Sequence, residues 1–395
     1  MGNIQHTSKV KRVGIYLDIR SSAGGMFQYS QSILDAIIHA SSSEINFLII
    51  YSGDEWQKIL KGYPHKCYKI NNHFFGNIIS KLFVLFQLPL TLSKFFSRFL
   101  NPVVKEINSL NLDLIFFPNQ DYLSFQTNLK SISTIHDLMH IYEKRFPEVS
   151  KRFRYTYREY RYKNICKNSA AVLVDSSVGK QQVLDSYDIS EKNIFPLQYT
   201  PPKYIYNKNN DITDLHKFEK FIFYPAQFWK HKNHKRLLKA IFIVKQKHQN
   251  IRIIFTGRKN HLYADLKKLT EKLSLQENII FLGKIDDENM SEYYRKARAL
   301  IFPSFFGPTN IPPLEAIICD CPMAVSNIYA MPDQLEDAAL YFDPLDTHSI
   351  SKCIIDLWEN DSLCESLIKN NKKVKSKISN EVFSKNFLKI IESSL

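Results

Sequence analysis

The sequence predicts an α/β protein made of two doubly wound parallel-sheet domains. Strand-like apolar runs alternate with helical stretches in both halves of the chain, the pattern of a parallel sheet with helices on both faces. A polar stretch without hydrophobic period, Pro196 to Lys220, separates the halves, and it carries Pro201-Pro202 with several Asn and Lys. At 395 residues the chain suffices for two cores of ordinary size and would make one unusually large domain. The expected division is 1–200, a linker at 201–219, a second domain at 220–379 and a terminal helix at 380–395.

The first half opens with a strand at Lys11 to Asp18. It ends in Arg20-Ser21-Ser22-Ala23-Gly24-Gly25 before a helical pattern, Tyr29 through Ile38. Strand, glycine-rich loop and helix let backbone approach a phosphate or sugar closely, although two adjacent glycines alone are a weak signal. Further strands are expected at Ile45 to Tyr51, Asp113 to Phe117, Ser131 to Ile135 and Ala170 to Asp175. The run from Ser131 ends in His136-Asp137, where a histidine at a strand's carboxyl end either contacts a ligand or is simply a satisfied polar residue. After the polar break come strands at Phe221 to Tyr224, Ile251 to Phe255, Asn278 to Leu282, Ala299 to Phe302 and Met323 to Val325.

The loop leaving the strand Ala299 to Phe302 is the most informative stretch. Pro303-Ser304-Phe305-Phe306-Gly307-Pro308-Thr309-Asn310 leads into a helix expected near Pro312, with Glu315 on its first turn. In an open parallel sheet such loops lie at the carboxyl ends of strands, where ligands bind, and a helix start offers unpaired N–H groups to an anion. A proline-rich turn that merely stops a strand fits the spacing equally well. A second strand-to-helix loop, Gln227 to Asn233, places Lys232 before a helix, where an ammonium can sit on a diphosphate or simply be solvated.

Two segments suggest surfaces. On a helix, Lys151, Arg154, Arg158 and Arg161 fall on one face, which reads first as a solvated face, next as a contact for membrane or lipid pyrophosphate, and last as a single-strand nucleic-acid site. Ile78 to Leu100 is rich in Phe, Leu and Ile but interrupted by Lys81, Gln87, Pro89, Lys94 and Arg98, so it does not span a bilayer. Phe95, Phe96 and Phe99 beside Lys94 and Arg98 suit an interfacial helix; a helix packed on a sheet is the blander reading, and the pattern slightly favours it.

Pro303-Ser304, Ile311-Pro312-Pro313-Leu314-Glu315-Ala316, Cys321-Pro322-Met323-Ala324-Val325-Ser326 and Ala338 to Pro344 together resemble the donor-site signature of retaining glycosyltransferases of family 4. The resemblance covers nearly the whole chain and implies the GT-B fold, two Rossmann-like domains facing a central cleft with the terminal helix returning to the first. It implies that His136 lies close to the transferred sugar, with Asp137 as its orienter, and that Lys232 holds the donor's phosphates. Glu315 would grip ribose or sugar hydroxyls. Gly24, Gly25, Asn233, Gly257, Arg258, Leu282, Thr309, Asn310 and Ile311 would line the donor site, and Arg154, Arg158 and Arg161 an acceptor or membrane patch. The sequence departs from the pattern twice. Gly307 stands where the family has a first glutamate, and Ala226-Gln227 where it has an arginine.

The expected activity is transfer, with retention, of a hexose or deoxyhexose from a GDP-mannose-, dTDP-rhamnose- or UDP-sugar-type donor to a glycan, expected to be lipid-linked, in surface polysaccharide synthesis. A nucleotide-sugar 2-epimerase of the same fold and a basic nucleic-acid-binding protein are the alternatives; nucleic acid is not the expected partner. No Asp/Glu/His cluster has metal-ligand spacing, so neither metal nor cofactor is expected. The excess of 53 Lys and Arg over 39 Asp and Glu, a net +14, favours anionic partners. The six cysteines read as reduced core thiols. Met1 to Lys11 shows no apolar h-region, so the expected location is cytoplasmic, with peripheral attachment to the inner face of the cell membrane an open expectation.

Overall fold

The computed structural model describes residues 10–38, 40, 44–71, 74–151, 153–207 and 219–395. The chain divides into two compact units. The first comprises residues up to His140, Arg152–Gln198 and Asn380–Leu395; the second comprises Ile141–Lys151 and Tyr199–Ser379.

In the first unit seven parallel strands are formed by β1 (Lys11–Leu17), β2 (Ile45–Tyr51), β3 (Lys66–Lys69), β4 (Leu114–Phe117), β5 (Ser131–Thr134), β6 (Ala171–Val174) and β7 (Ile194–Pro196). Their order is β3-β2-β1-β4-β5-β6-β7. The second unit has β8 (Ile222–Pro225), β9 (Ile253–Thr256), β10 (Ile279–Gly283), β11 (Ala299–Phe302), β12 (Met323–Ser326) and β13 (Leu340–Phe342), ordered β10-β9-β8-β11-β12-β13. Both sheets reverse direction of winding beside their first strand, at β1/β4 and at β8/β11. The loops leaving those strand pairs diverge to opposite faces and open a crevice, which is where ligands bind in this class of sheet. Central strands are buried on both faces, hence their continuous apolar runs, such as Leu114 to Phe117 and Ala299 to Phe302.

Three strands lay outside the sequence expectation: β3, β7 and β13. Each is a sheet edge of three or four residues with partly exposed side chains, so none carries an apolar run. The helix Asn380–Ser393 packs in the first unit, with Phe387 against Phe116 at 5.1 Å and Phe383 edge-on to Tyr29 at 6.2 Å.

The expected boundaries need correction in two places. Ile141–Lys151, placed in domain 1–200 by sequence, belongs to the second unit: Arg145 lies 4.4 Å over the Phe305 ring, Phe146 meets Phe306 edge-on, and Tyr329 Oη donates to Glu143 Oε1 at 3.0 Å. The start of the expected linker 201–219 is packed rather than solvated. Arg295 donates to the Ile205 and Asn207 carbonyls and Ser291 Oγ to that of Asn207, while residues 208–218 of the linker lie outside the described residues.

The Phe-rich segment forms two helices, Phe74–Leu85 and Leu90–Leu100. The turn between them holds Gln87 at φ 48°, and Pro89 precedes the second helix. Phe86 is 75% exposed, Phe99 64% and Phe95 58%, with Leu85, Leu92 and Leu100 beside them. Small Ser93 and Ser97 are the buried face of the second helix, so its aromatic rings are turned outward. Among the described residues no helix is long and apolar enough to cross a membrane.

The basic helix, Arg154–Asn168, does not present the expected continuous cationic face. Arg158 pairs with Asp137 at 2.5 Å and lies over Tyr162, while Arg161 lies over Tyr157. Arg154 and Lys151 are exposed, Lys151 in the second unit, and Arg152 lies outside the described residues. Aromatic residues interleaved with the arginines draw two of them back onto the protein.

Candidate functional site

In the second unit the two loops that diverge at β8/β11 are joined by Lys232. Its Nζ donates to Ser304 Oγ at 3.3 Å and lies 5.2 Å from the centre of the Phe302 ring. Its position is set by its own backbone, since the Lys232 carbonyl accepts a 2.6 Å bond from the buried Tyr224 hydroxyl. Next to it His231 stacks on Phe306 at 3.8 Å, and the His231 carbonyl accepts the Phe305 N–H. Glu148 fixes the far side of this turn by accepting the Lys230 N–H at 2.6 Å and lying 3.6 Å from His231 Nδ1. Burial opposes ionisation of Glu148, yet these partners overcome it and hold the carboxyl down at about 2.

Asn233 caps the helix His234–Lys245 in the left-handed region at φ 59°, which explains why an asparagine, tolerant of that conformation, follows the lysine. Its amide donates to the Pro344 carbonyl at 2.8 Å and its oxygen accepts from Arg236. Asn233 therefore ties together the loops that carry the sequence signature. The helix start behind it is 12 residues long and places Lys232 and Arg236 together, a cationic end suited to a diphosphate. Arg236 lies 5.7 Å over the Phe305 ring, on which Arg145 also sits. Neither arginine figured in the sequence reading. Arg236 was recognisable from its place two residues into the helix, whereas Arg145 comes from 141–151 and carried no signal.

The second helix start, Ile311–Ile318, offers less to an anion than expected. Pro312 and Pro313 have no N–H, and the Asn310 N–H is taken by Gln334 Oε1 at 3.1 Å. Asn310 Nδ2 closes the loop on the Phe306 carbonyl at 2.9 Å. Gly307 has φ 86°, and a Cβ there would meet the Thr309 carbonyl oxygen at 2.5 Å. The loop thus has no place for a side chain where the family carries its first glutamate. Thr309 and Ile311 are buried in its wall.

Glu315 lies in the second turn of this helix, not the first. Its carboxylate is buried and held at both oxygens, by Tyr204 Oη at 2.5 Å and Tyr294 Oη at 2.7 Å. Burial raises its pKa and the two hydroxyls pull it back. This carboxylate serves the interior of the unit, binding the helical turn Lys203–Tyr206 to the site helix. On the other side of β8, Gly257 (φ 146°) lets the end of β9 approach Ala226, whose carbonyl oxygen a Cβ would meet at 2.4 Å. Arg258 and Leu282 beside it are exposed.

In the first unit Gly24 takes φ 63°, ψ −120°, open only to glycine, and caps the helix Gly25–Ile37. Tyr29 from that helix donates or accepts with Thr134 at 3.3 Å and meets the His136 ring edge-on at 5.0 Å. His136 Nε2 lies 3.3 Å from Asn119 Oδ1. Burial pushes the imidazole down to about 4, so it is neutral near pH 7. The Asp137 carboxylate beside it accepts from Arg158 and from the Met139 N–H. Burial works against the charge on Asp137, and these partners outweigh it to lower its pKa.

With this geometry in view, three comparisons bear on the chain. Residues 207–374 match the model of the family described as Glycosyl transferases group 1. The O-antigen chain mannosyltransferase RfbU of Salmonella typhimurium is 27% identical over 223 residues, 56% of this chain and 59% of that protein. The O-antigen chain mannosyltransferase B of Escherichia coli is 33% identical over 110 residues, 28% of this chain and 29% of the relative. The matched stretches thus span about three fifths and three tenths of those relatives' lengths. Anabaena HepE, solved in complex with UDP and glucose, superposes with a TM-score of 0.74 at 14% identity, covering 96% of this chain and 99% of that one. The chain has the GT-B fold.

Proposed function

We propose that the chain is a retaining, metal-independent glycosyltransferase that moves mannose from a GDP-mannose-type donor to a growing surface glycan. The observation that carries this reading is Lys232 joined to Ser304 at the β8/β11 switch point, at the start of a helix rich in cations and inside the stretch that matches the family. Lys232, Arg236 and that helix start would neutralise the departing diphosphate. Lys232 would act on the bond as it breaks, because charge on the leaving oxygen grows in the transition state. In the first unit His136 would meet the sugar as a neutral hydrogen-bonding group, as the resemblance implies. The named mannosyltransferase relatives support the choice of sugar. So does Gly307, which leaves recognition of the hydroxyls to backbone and to Thr309.

The test is a melting-temperature screen with GDP-mannose, dTDP-rhamnose and UDP-glucose. A ligand at about 100 times its dissociation constant adds roughly 2.7 kcal/mol, and GDP-mannose is expected to give the largest shift. Stabilisation by UDP-glucose alone would overturn the choice of donor, and no shift with any nucleotide-sugar would overturn the reading.

We further propose attachment to an anionic lipid surface. The outward Phe86, Phe95 and Phe99, flanked by Lys81, Lys94 and Arg98, combine an apolar face with cations at its border, the composition that seats a helix among lipid headgroups. The chain is expected to sediment with phosphatidylglycerol vesicles at low salt, and Phe95→Ser with Phe99→Ser is expected to abolish this. Equal retention by neutral vesicles, or by the double variant, would contradict the proposal.

A further inference from the structure

The second unit carries a cationic groove that the site described above touches through Arg236. It lies between the helix His234–Lys245, which follows β8, and the helix His261–Lys272, which follows β9, and encloses about 690 Å³. Lys235, Arg236 and Lys239 line it from the first helix and Lys268 and Lys272 from the second, so five cations face the carboxylate of Asp265. In a parallel sheet both helices start at the carboxyl ends of their strands and run away from them. The groove therefore begins beside the diphosphate end, where Arg236 bonds Asn233, and descends along the unit. At a rise of about 1.5 Å per residue, Lys272 lies on the order of 16 Å from the start of its helix.

Little within the protein offsets this charge. Lys235 lies 3.9 Å from Asp265, a long pair between two exposed side chains. Arg236 donates to the Asn233 amide oxygen and lies over Phe305. Lys239, Lys268 and Lys272 are exposed and make no hydrogen bond, ion pair or ring contact among the described residues. Lys235 and Lys239 are like charges one helical turn apart, as are Lys268 and Lys272, and such pairs weaken a helix. An anion in the groove relieves that repulsion. Exposed lysines on flexible stems build no fixed set of donors; what they supply is a field. Among the described residues no aromatic ring lines the groove, so bases of a single-stranded nucleic acid would find no platform on which to stack. Its continuity with the site is Arg236, and phosphate drawn in is led towards Lys232.

We propose that the groove is an electrostatic guide for the donor: it draws the phosphates of a nucleotide-sugar from solution and passes them to Arg236 and Lys232. It raises the rate of association and leaves the rate of departure unchanged. Charges at the rim of a site act in this way, whereas bonds to the bound ligand set its departure. The proposal rests on the reading of Lys232 as the diphosphate site, and the following experiment separates the two.

Association and departure of N-methylanthraniloyl-GDP and N-methylanthraniloyl-UDP are followed by stopped-flow fluorescence at about 10 mM and about 1 M NaCl, where charges are screened beyond roughly 30 Å and 3 Å. The full chain is compared with the triple variant Lys239→Gln, Lys268→Gln, Lys272→Gln. A control loses the same charge through Lys369→Gln, Lys372→Gln, Lys385→Gln, at exposed lysines that do not line the groove. At low salt the groove variant is expected to associate about five- to tenfold more slowly than wild type, with its departure rate within about twofold. The control is expected to stay within about twofold in both rates, and at high salt all three proteins should agree. The groove variant should melt no lower than wild type, because repulsion within its helices is relieved. Association slowed equally in the control would assign the effect to net charge and overturn the groove. A groove variant that associates as fast as wild type, or whose loss lies in faster departure, would overturn it too, while leaving the diphosphate reading in place. No binding of either nucleotide by wild type would remove that reading and the guide with it.

Discussion

Glu315→Ala is expected to destabilise the second unit by about 3 kcal/mol or more. The carboxylate accepts from two tyrosine hydroxyls, and Tyr294 is fully buried, so truncation strands the Tyr294 hydroxyl, takes a bond from Tyr204 and opens a void. A buried hydrogen-bonding group left without a partner costs roughly 1–3 kcal/mol, and the cavity left by a buried side chain adds to it. For a unit of this size about 3 kcal/mol corresponds to a fall of roughly 6–12 °C in melting temperature. Glu315→Gln keeps one acceptor oxygen and is expected to lose less than half as much. Thermal unfolding followed by circular dichroism checks both. An alanine variant as stable as wild type would show that the two tyrosines find other partners and that Glu315 is available for ligand. The sequence reading instead placed Glu315 on the hydroxyls of the donor.

Lys232→Ala is expected to behave in the opposite way. Lys232 is held by its carbonyl, lies over an aromatic ring and donates to the Ser304 hydroxyl. Removing it should leave the melting temperature within a few degrees of wild type, since the Ser304 hydroxyl that it meets also bonds the Phe306 backbone. Removing a charge-assisted interaction of roughly 1.5–3 kcal/mol with the diphosphate should lower kcat/KM by about ten- to more than a hundredfold, mainly through kcat. Lys232→Arg should restore only part of the rate, because the guanidinium fork does not place its charge as a compact ammonium does. Steady-state kinetics with GDP-mannose decides the matter; unchanged kinetics in the folded variant would remove Lys232 from the reaction.

The contrast between these residues shows what the sequence could convey. Buried central strands announced themselves as apolar runs, and Ala299–Phe302 was legible to the residue. Edge strands such as Lys66–Lys69 were not, because half-exposed strands lack that run. The loop signature located the switch point and Lys232, since loop chemistry is local. The partners of Glu315 were hidden, because Tyr204 and Tyr294 lie 111 and 21 residues away in sequence. The same holds for Ile141–Lys151, whose place in the second unit depends on Arg145, Phe146 and Glu148 meeting residues from 230 onward. The arginine face of 154–161 was a correct helical pattern with an incorrect environment, because pairing with Asp137 and stacking on Tyr157 are tertiary events. For the helix Leu90–Leu100 the pattern could not say which face would be buried. Small serines rather than phenylalanines took that face.

The central claim is that glycosyl transfer proceeds with retention and rests on Lys232, a helix start and backbone rather than on a divalent ion. The measurement that tests it most directly is proton NMR of the first product formed from GDP-α-mannose and a lipid-linked glycan acceptor in excess EDTA. The account predicts transfer at the rate seen without chelator and an α-mannosyl product. A β-linked product, or transfer abolished by EDTA and restored by Mg²⁺ or Mn²⁺, would contradict it.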